Sequence, residues 1–401
     1  VSAPGAAARE LGTAGRALGV RPAGWVVLAL GVTATSAGWA LGWLELVALG
    51  AAVLAVLAAA LAFTLGRQPY AVDLRLSARR VVVGERALGA VVVRNAGAGP
   101  ALPARLELPV GAAEAAFVLP ALPGGGEHEE VLAIPTARRA VIAVGPVRSV
   151  RGDPLGLVRR AMTWTDVHEL YVHPRTVRLA ARAAGLLHDL EGRPARDVTT
   201  ADLAFHALRE YLPGDDRRHV HWRSSARTGT LMVRQYEEAR RSHLVVALGS
   251  DARDYAGAEE VEVAVSAAAS LALQAFAEDA DLTALTSGAA LPAGSPRRLL
   301  DALTRLQPTP GAGGVVALAH AAAQVERASL VVLVCGAAVP VRDLRAAGAV
   351  LPVGVRAVAV RVAGDVGEAS ARADVRRVGA MTVATIAALG DLPRALRAAA
   401  R

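Results

Sequence analysis

Two uncharged apolar stretches stand almost back to back early in the chain, residues 24–44 and 46–65, of 21 and 20 residues. Each is long enough to cross a hydrocarbon core of ~30 Å at ~1.5 Å per residue. As one continuous helix the pair would reach about 60 Å, more than a bilayer holds, so the chain has to turn back. The sequence therefore predicts a transmembrane helical hairpin over residues 24–65, with Trp43, Leu44 and Glu45 at the turn. Trp25, Trp39 and Trp43 lie where interface aromatics gather. Gly38 with Gly42, and Ala51 with Ala55 and Ala59, carry the small-xxx-small spacing of close helix packing. A cleaved signal peptide, the rival reading, has an apolar region of only ~7–15 residues and is not doubled.

Arg9, Arg16 and Arg21 precede the hairpin and Arg67, Arg75, Arg79 and Arg80 follow it, whereas the connection carries only Glu45. The positive-inside rule then places both ends in the cytoplasm: a tail over residues 1–23, a two-helix anchor in the cell membrane, and cytoplasmic soluble domains. Two helices with no charge inside them cannot line a transport pathway. The chain has no Lys, so all 44 basic residues are Arg. That excludes a P-loop lysine, a Schiff-base lysine and a Ser-x-x-Lys nucleophile. The single cysteine, Cys335, excludes an internal disulfide and a cysteine zinc site. The net charge of +8 is spread as Arg alternating with acids rather than as one stripe, which argues against nucleic acid as a partner.

Residues 70–174 read as a β-sandwich-like domain, with alternating or β-branched runs at 72–76, 81–83, 91–93 and 105–108 and turns at Asn95-Ala96-Gly97 and Pro123-Gly124-Gly125-Gly126. Residues 242–401 read as an α/β domain with a mostly parallel sheet covered by helices on both faces. Its expected strands are 243–248, 281–286, 330–335, 355–362 and 378–383; its expected helices are 258–277, 296–306, 315–327, 341–347 and 392–400. Ligands of such sheets sit beyond the carboxyl ends of the strands, here residues 249–254, 287–288 and 336–338.

Between these parts, residues 175–241 hold the densest motif: Arg209, Tyr211, Pro213, Gly214 and Asp215, then Arg218, His221-Trp222, Ala226-Arg227, Leu231, Val233-Arg234 and Tyr236-Glu237. Val220 and Trp222, then Leu231 and Val233, alternate as two strands would. This order strongly resembles the signature of the DUF58 family of bacterial membrane proteins. Gly145-Pro146, Asp153-Pro154-Leu155-Gly156-Leu157 and Val172-His173-Pro174 extend the resemblance upstream. The resemblance implies that the α/β domain is von Willebrand factor A-like. It further implies a MoxR-type AAA+ ATPase as partner, in chaperone-like maturation or assembly of other membrane or envelope proteins. It brings no chemical reaction and no cofactor.

A von Willebrand A domain that holds Mg²⁺ uses Asp-x-Ser-x-Ser after its first strand. Here that place reads Gly249-Ser250-Asp251-Ala252-Arg253, with Gly249 at the Asp position and Thr309 the nearest threonine on the next loop. The site is degenerate; Asp251 and Asp254 could serve by a shift of register, but Arg253 stands between them. His219 and His221 would share a strand face and could ligate a metal with His206 or His243 as a third ligand, but a His pair on a strand is more often structural. Asp215 with Asp216 among the arginines reads as an ion-pair network, with Arg218, Arg223, Arg227 and Arg234 facing carboxylates, and Trp222 as core or an interface anchor. No catalytic residues are assigned. The reading that results is a non-enzymatic membrane-anchored interaction protein whose signature either joins the two soluble domains or faces a partner. The alternatives are a metal-dependent von Willebrand A binding module at Ser250 and Asp251, and a membrane enzyme acting on cell-envelope polymers.

Overall fold

The computed structural model describes residues 19–64, 69–101, 103–179, 203–213, 215, 217–238, 243–364 and 374–400. The expectations for Arg9, Arg16, Arg67, Gly214 and Asp216 lie outside the described residues, and the side chains of His206, His219, Arg234, Tyr236 and Glu237 are likewise not described. The chain forms two compact units, residues 1–172 and 173–401.

The first unit opens with α1 (Pro22–Leu41) and α2 (Leu44–Thr64), each long and apolar enough to cross a membrane. They turn back at Gly42, which takes φ 66° and whose amide meets the carbonyls of Gly38 and Trp39. Glu45 thus belongs to the first turn of α2 rather than to the connection. Glycine sets the approach of the two helices. A Cβ at Gly50 would stand 2.3 Å from Thr35 Oγ1, and one at Gly38 would stand 2.7 Å from the Val47 amide nitrogen. The expected Ala51, Ala55 and Ala59 stripe is exposed and faces away from α1, and Gly42 belongs to the turn. Small-residue spacing in so Ala-rich a helix does not say which face is the packed one.

Beyond the hairpin lie β1 (Tyr70–Leu76), β2 (Arg80–Val82), β3 (Ala87–Asn95), β4 (Ala104–Val110), β5 (Ala113–Leu119), β6 (Glu127–Ile134), β7 (Ala140–Val144), β8 (Arg148–Gly152), β9 (Arg159–Thr163) and β10 (His168–His173). They make a three-stranded sheet, β1-β3-β6, and a seven-stranded sheet, β2-β10-β7-β4-β8-β9 with β5 on β4. One apolar core draws on both: Leu74, Val91 and Val93 from the first, Leu106, Leu108, Val144 and Leu170 from the second. The buried Asn95 holds the turns that end β3 and precede β6, its amide donating to the carbonyls of Gly99 and Leu122.

The second unit contains a ribbon, β11 (Leu203–Glu210) paired antiparallel with β12 (Met232–Glu238), enclosing a one-turn 3₁₀ segment (Arg217–His219) and α3 (Trp222–Thr228). Then come β13 (His243–Leu248), α4 (Ala258–Ala277), β14 (Asp281–Thr286), β15 (Ala290–Leu291), α5 (Pro296–Arg305), α6 (Val315–Ala323), β16 (Leu330–Gly336), α7 (Val341–Val350), β17 (Arg356–Val362), β18 (Asp374–Val378), β19 (Met381–Ile386) and α8 (Leu392–Ala400). The sheet order is β15-β14-β13-β16-β17-β19-β18, parallel except at its two edges. Alternation along each strand divides the core. Leu244, Val246 and Leu248 meet α4, α5 and α8, while Val245 and Ala247 meet α6 and α7. Helix α4 is also long and apolar enough to cross a membrane, yet much of it is buried in this layer. The expected strand at 378–383 spans a hairpin turn at Gly379, φ 63°, between β18 and β19.

Replacing Gly50 by Val should force the helices apart and cost about 1–3 kcal/mol, the usual cost of overpacking. Thermal unfolding of the detergent-solubilised chain reads this as a lower Tm, with Gly99→Ala, which meets nothing within 4 Å, as the neutral control. Equal Tm values for the two variants would show that the helices do not touch at Gly50.

Candidate functional site

The signature segment is held by backbone pairing and by one charged clamp. Arg209, near the end of β11, places Nη1 and Nη2 at 2.7 and 2.6 Å from the two carboxylate oxygens of Asp215. Such two-point geometry fixes direction as well as distance. The Asp215 carboxylate also accepts the Leu212 amide at 2.8 Å, so the turn through Pro213 closes on itself. The Arg209 guanidinium, and after it the Leu212 amide, hold the Asp215 carboxyl below its ordinary pKa.

After this turn the chain runs back along β12. The His221 amide donates to Met232 O at 2.8 Å, and Val220 bridges Val233. The alternation of Val220 and Trp222 does not continue as a strand. His221 caps α3, its Nδ1 accepting the Ser224 amide at 3.2 Å, and Gly229 ends the helix at φ 75°. The buried Ser225 accepts the Met232 amide at 2.8 Å and donates to His221 O, tying α3 to β12. His219 ends the 3₁₀ turn instead of sharing a strand face with His221, whose Nδ1 is engaged in the cap. His243 bonds Thr283 Oγ1 at 2.8 Å instead of joining them.

The consequence is an exposed face. Trp222 opens α3 with 69% of its surface accessible, so it is not core. The Tyr211 amide bonds Leu231 O, which brings residues 211–212 and 231 alongside one another. Leu212 and Leu231 are 61% and 47% accessible. Arg217, Arg223 and Arg227 are exposed, and Arg223 and Arg227 take part in no ion pair among the described residues. The expected pairing of Asp215 falls to Arg209. Sequence patterning missed this because it could not tell which of several arginines the turn would bring to the carboxylate.

The rim of the α/β sheet is built differently. Strand β13 connects toward β14 and β16 toward β17, so the crevice expected for a ligand lies between their carboxyl ends. The chain itself fills it. Tyr255 donates its hydroxyl to Gly249 O at 2.7 Å, and a Cβ at Gly336 would meet the Asp254 carbonyl at 2.3 Å. The buried Glu260 accepts the amides of Ala256, Ala337 and Gly364, binding three loops together. Ser250 and Asp251 are buried, and Thr309 does come beside them: its amide donates to Ser250 O at 3.0 Å. Asp251 spends Oδ1 on the amides of Arg253 and Gly311. Among the described residues no three His, Cys, Asp or Glu side chains converge as metal ligands. Burial, and after it the charges of Asp251 and Asp343, push the Asp254 carboxyl up to about 6, and its Oδ2 is buried without a hydrogen-bond partner among the described residues. Burial likewise raises the Cys335 thiol to about 12, which leaves it inert.

Residues 207–380 match the family model described as "Protein of unknown function DUF58". The family read from the signature is therefore supported over that segment. No curated protein matches the chain. Solved structures with local likeness include the CARDB domain of a Pyrococcus furiosus protein in complex with di-metal ions, 12% identical, covering 26% of this chain and 86% of that one, TM-score 0.20. Another is an alkylpurine DNA glycosylase of Pseudomonas fluorescens bound to DNA, 15% identical, covering 32% and 39%, TM-score 0.20. A third is a β-glucosidase of Listeria innocua in complex with gluconolactone, 13% identical, covering 27% and 17%, TM-score 0.19. At these scores none of them bears on the fold or on function.

Two expectations follow. Asp215→Asn should release Arg209 and speed hydrogen exchange at the Leu212 amide, with the Tm of the α/β core unchanged; unaltered exchange would remove the clamp from the account. Asp254 binds its proton more tightly folded than unfolded, so its contribution to stability is complete below pH ~4 and fades as pH rises to about 6. Asp254→Asn should therefore raise Tm at pH 7 by roughly 2–4 °C, for an effect of about 1 kcal/mol after solvent screening, and not at pH 4.

Proposed function

Taking residues 207–380 as a DUF58 segment, we propose that this chain is a membrane-anchored, non-enzymatic interaction protein. The face around Trp222 receives a partner, a MoxR-type AAA+ ATPase acting in maturation or assembly of other membrane or envelope proteins. The hairpin is the anchor, with both its ends and the soluble units in the cytoplasm, and the α/β unit is a von Willebrand A-like fold. The observation that carries this is the exposed tryptophan beside Arg223 and Arg227, which take part in no ion pair among the described residues, on a segment fixed by the Arg209–Asp215 clamp. Exposed Trp and Arg on a rigid support are the residues that dominate interface energies. A partner surface that fits has an apolar pocket for the indole and carboxylates for Arg223 and Arg227. Tyr255 and the tightly approached Gly336 occupy the crevice at the strand ends among the described residues, which supports binding over catalysis.

The test is a detergent pull-down from native membranes under nucleotide-trapped conditions. An AAA+ ATPase should co-purify with the wild-type chain, and Trp222→Ala should reduce capture about tenfold or more, a loss of at least 1.4 kcal/mol. The Tm of the variant should stay put, since the side chain has little to lose on the surface. Capture that is absent, or indifferent to Trp222, counts against this reading.

A further inference from the structure

The β-sheets of the first unit do not hang from the hairpin on a linker. Immediately before α1, Val20 forms an antiparallel bridge with Val158. The Arg159 amide donates to Gly19 O at 2.7 Å, and the Arg21 amide donates to Leu157 O at 2.9 Å. Helix α1 then begins at Pro22, one residue later. The approach is so close that a Cβ on Gly24 would stand 2.5 Å from Leu157 O and one on Gly19 would stand 2.3 Å from Arg159 O. Leu157 and Val158 are buried in a cluster with Leu57 and Ala60 of α2, against which Val27, Leu28 and Leu61 pack. The Leu157 carbonyl stands beside Gly24, and the cluster it joins lies along about the first two turns of α1 and the last two of α2, within roughly 10 Å of their open end.

The turn that carries Leu157 is stiff. Asp153 is buried, and its carboxylate accepts the amides of Leu155 at 2.9 Å and Val158 at 2.6 Å. The Gly156 amide closes the turn on Asp153 O at 3.0 Å, with Gly156 at φ 69°. Leu155 stands at its tip with 66% of its surface exposed. An exposed leucine is ordinary on a soluble surface. This one belongs to a rigid turn whose neighbour two residues on is packed inside the apolar helices. The Arg21 guanidinium lies beside Gly156, exposed and without a carboxylate partner among the described residues. Interfacial contacts of proteins with bilayers run ~5–10 Å deep, at the boundary of headgroups and acyl chains.

We propose that the turn from Asp153 to Leu157 is a lipid contact, with Leu155 seated at the headgroup–acyl boundary and Arg21 meeting the phosphate of an anionic lipid. The proposal rests on the reading of the hairpin as a membrane anchor. It gives the Asp-Pro-Leu-Gly-Leu motif a role: Asp153 sets the turn, Leu157 locks it to the hairpin and Leu155 enters the lipid. Because the turn is formed by its own hydrogen bonds, seating Leu155 requires little further ordering. Arg21 has a long apolar stem that lets its head reach the phosphate level. The first unit is thereby fixed in height and tilt at the bilayer surface.

The test uses the full chain in nanodiscs containing anionic lipid, with an environment-sensitive fluorophore on single cysteines introduced by Leu155→Cys, Leu49→Cys or Leu88→Cys. The native Cys335 is buried in the sheet and spared in the folded protein. Leu49 lies within α2, and Leu88 lies at the end of β3 that pairs with the far end of β1 from the hairpin. A nitroxide carried near the lipid headgroup should quench the label at 155 several-fold more than the label at 88. Arg21→Gln should weaken that quenching in anionic discs and leave it unchanged in zwitterionic ones. A label at 155 that behaves like that at 88, while that at 49 is shielded from a water-soluble quencher, overturns the lipid contact and leaves the anchor standing. A label at 49 open to the water-soluble quencher sinks the anchor reading and this proposal with it.

Discussion

The guanidinium of Arg209, gripping both oxygens of Asp215, sets the course of the segment between β11 and β12. Among its described residues Val220, Ser225 and Val233 are buried. Its shape comes from polar geometry: the clamp, the Leu212 amide on the same carboxylate, the His221 cap and the Ser225 tie. Two-point charged hydrogen bonds are directional where apolar contact is not, so they can hold a surface segment in one conformation. The outcome is a tryptophan presented to solvent, which unfavourable hydration would bury if the segment were free to collapse onto it.

The α/β unit follows the opposite logic. Its parallel sheet is buried on both faces, with Leu244, Val246 and Leu248 on one side and Val245 and Ala247 on the other. Where sheets of this order usually open a crevice, Tyr255, Glu260 and the tightly approached Gly336 close it. The unit is thus closely packed on both faces of its sheet. In the first unit the same economy appears at the base of the hairpin, where Gly19 and Gly24 let backbone meet backbone.

Much of this was legible in the sequence where local signals agreed with tertiary packing. The helix Ala258–Ala277 was readable to the residue because Gly257 and the acids Glu259 and Glu260 mark its start and its apolar face persists to its end. The hairpin was readable from length and hydropathy alone. The packed face of α2 was not, since alanine at 51, 55 and 59 has the spacing of a packed stripe while α2 meets α1 closely at Gly50. In the signature, Val220 and Trp222 alternate as a strand does, but Gly229 and the Ser224–His221 cap favour a helical turn after His221. That Thr309 would reach Ser250, or that Arg209 would be the arginine to find Asp215, depends on loop paths set by the whole sheet and ribbon.

The central claim is that the face at Trp222 touches a partner. A photo-crosslinking amino acid placed at position 222 in native membranes measures this directly, with Val353, fully exposed on the α/β unit, as the comparison site. An interaction face requires a nucleotide-dependent crosslink from position 222 to an AAA+ subunit, with none from 353. Crosslinks from 222 to no protein, or to the same background as from 353, would contradict it.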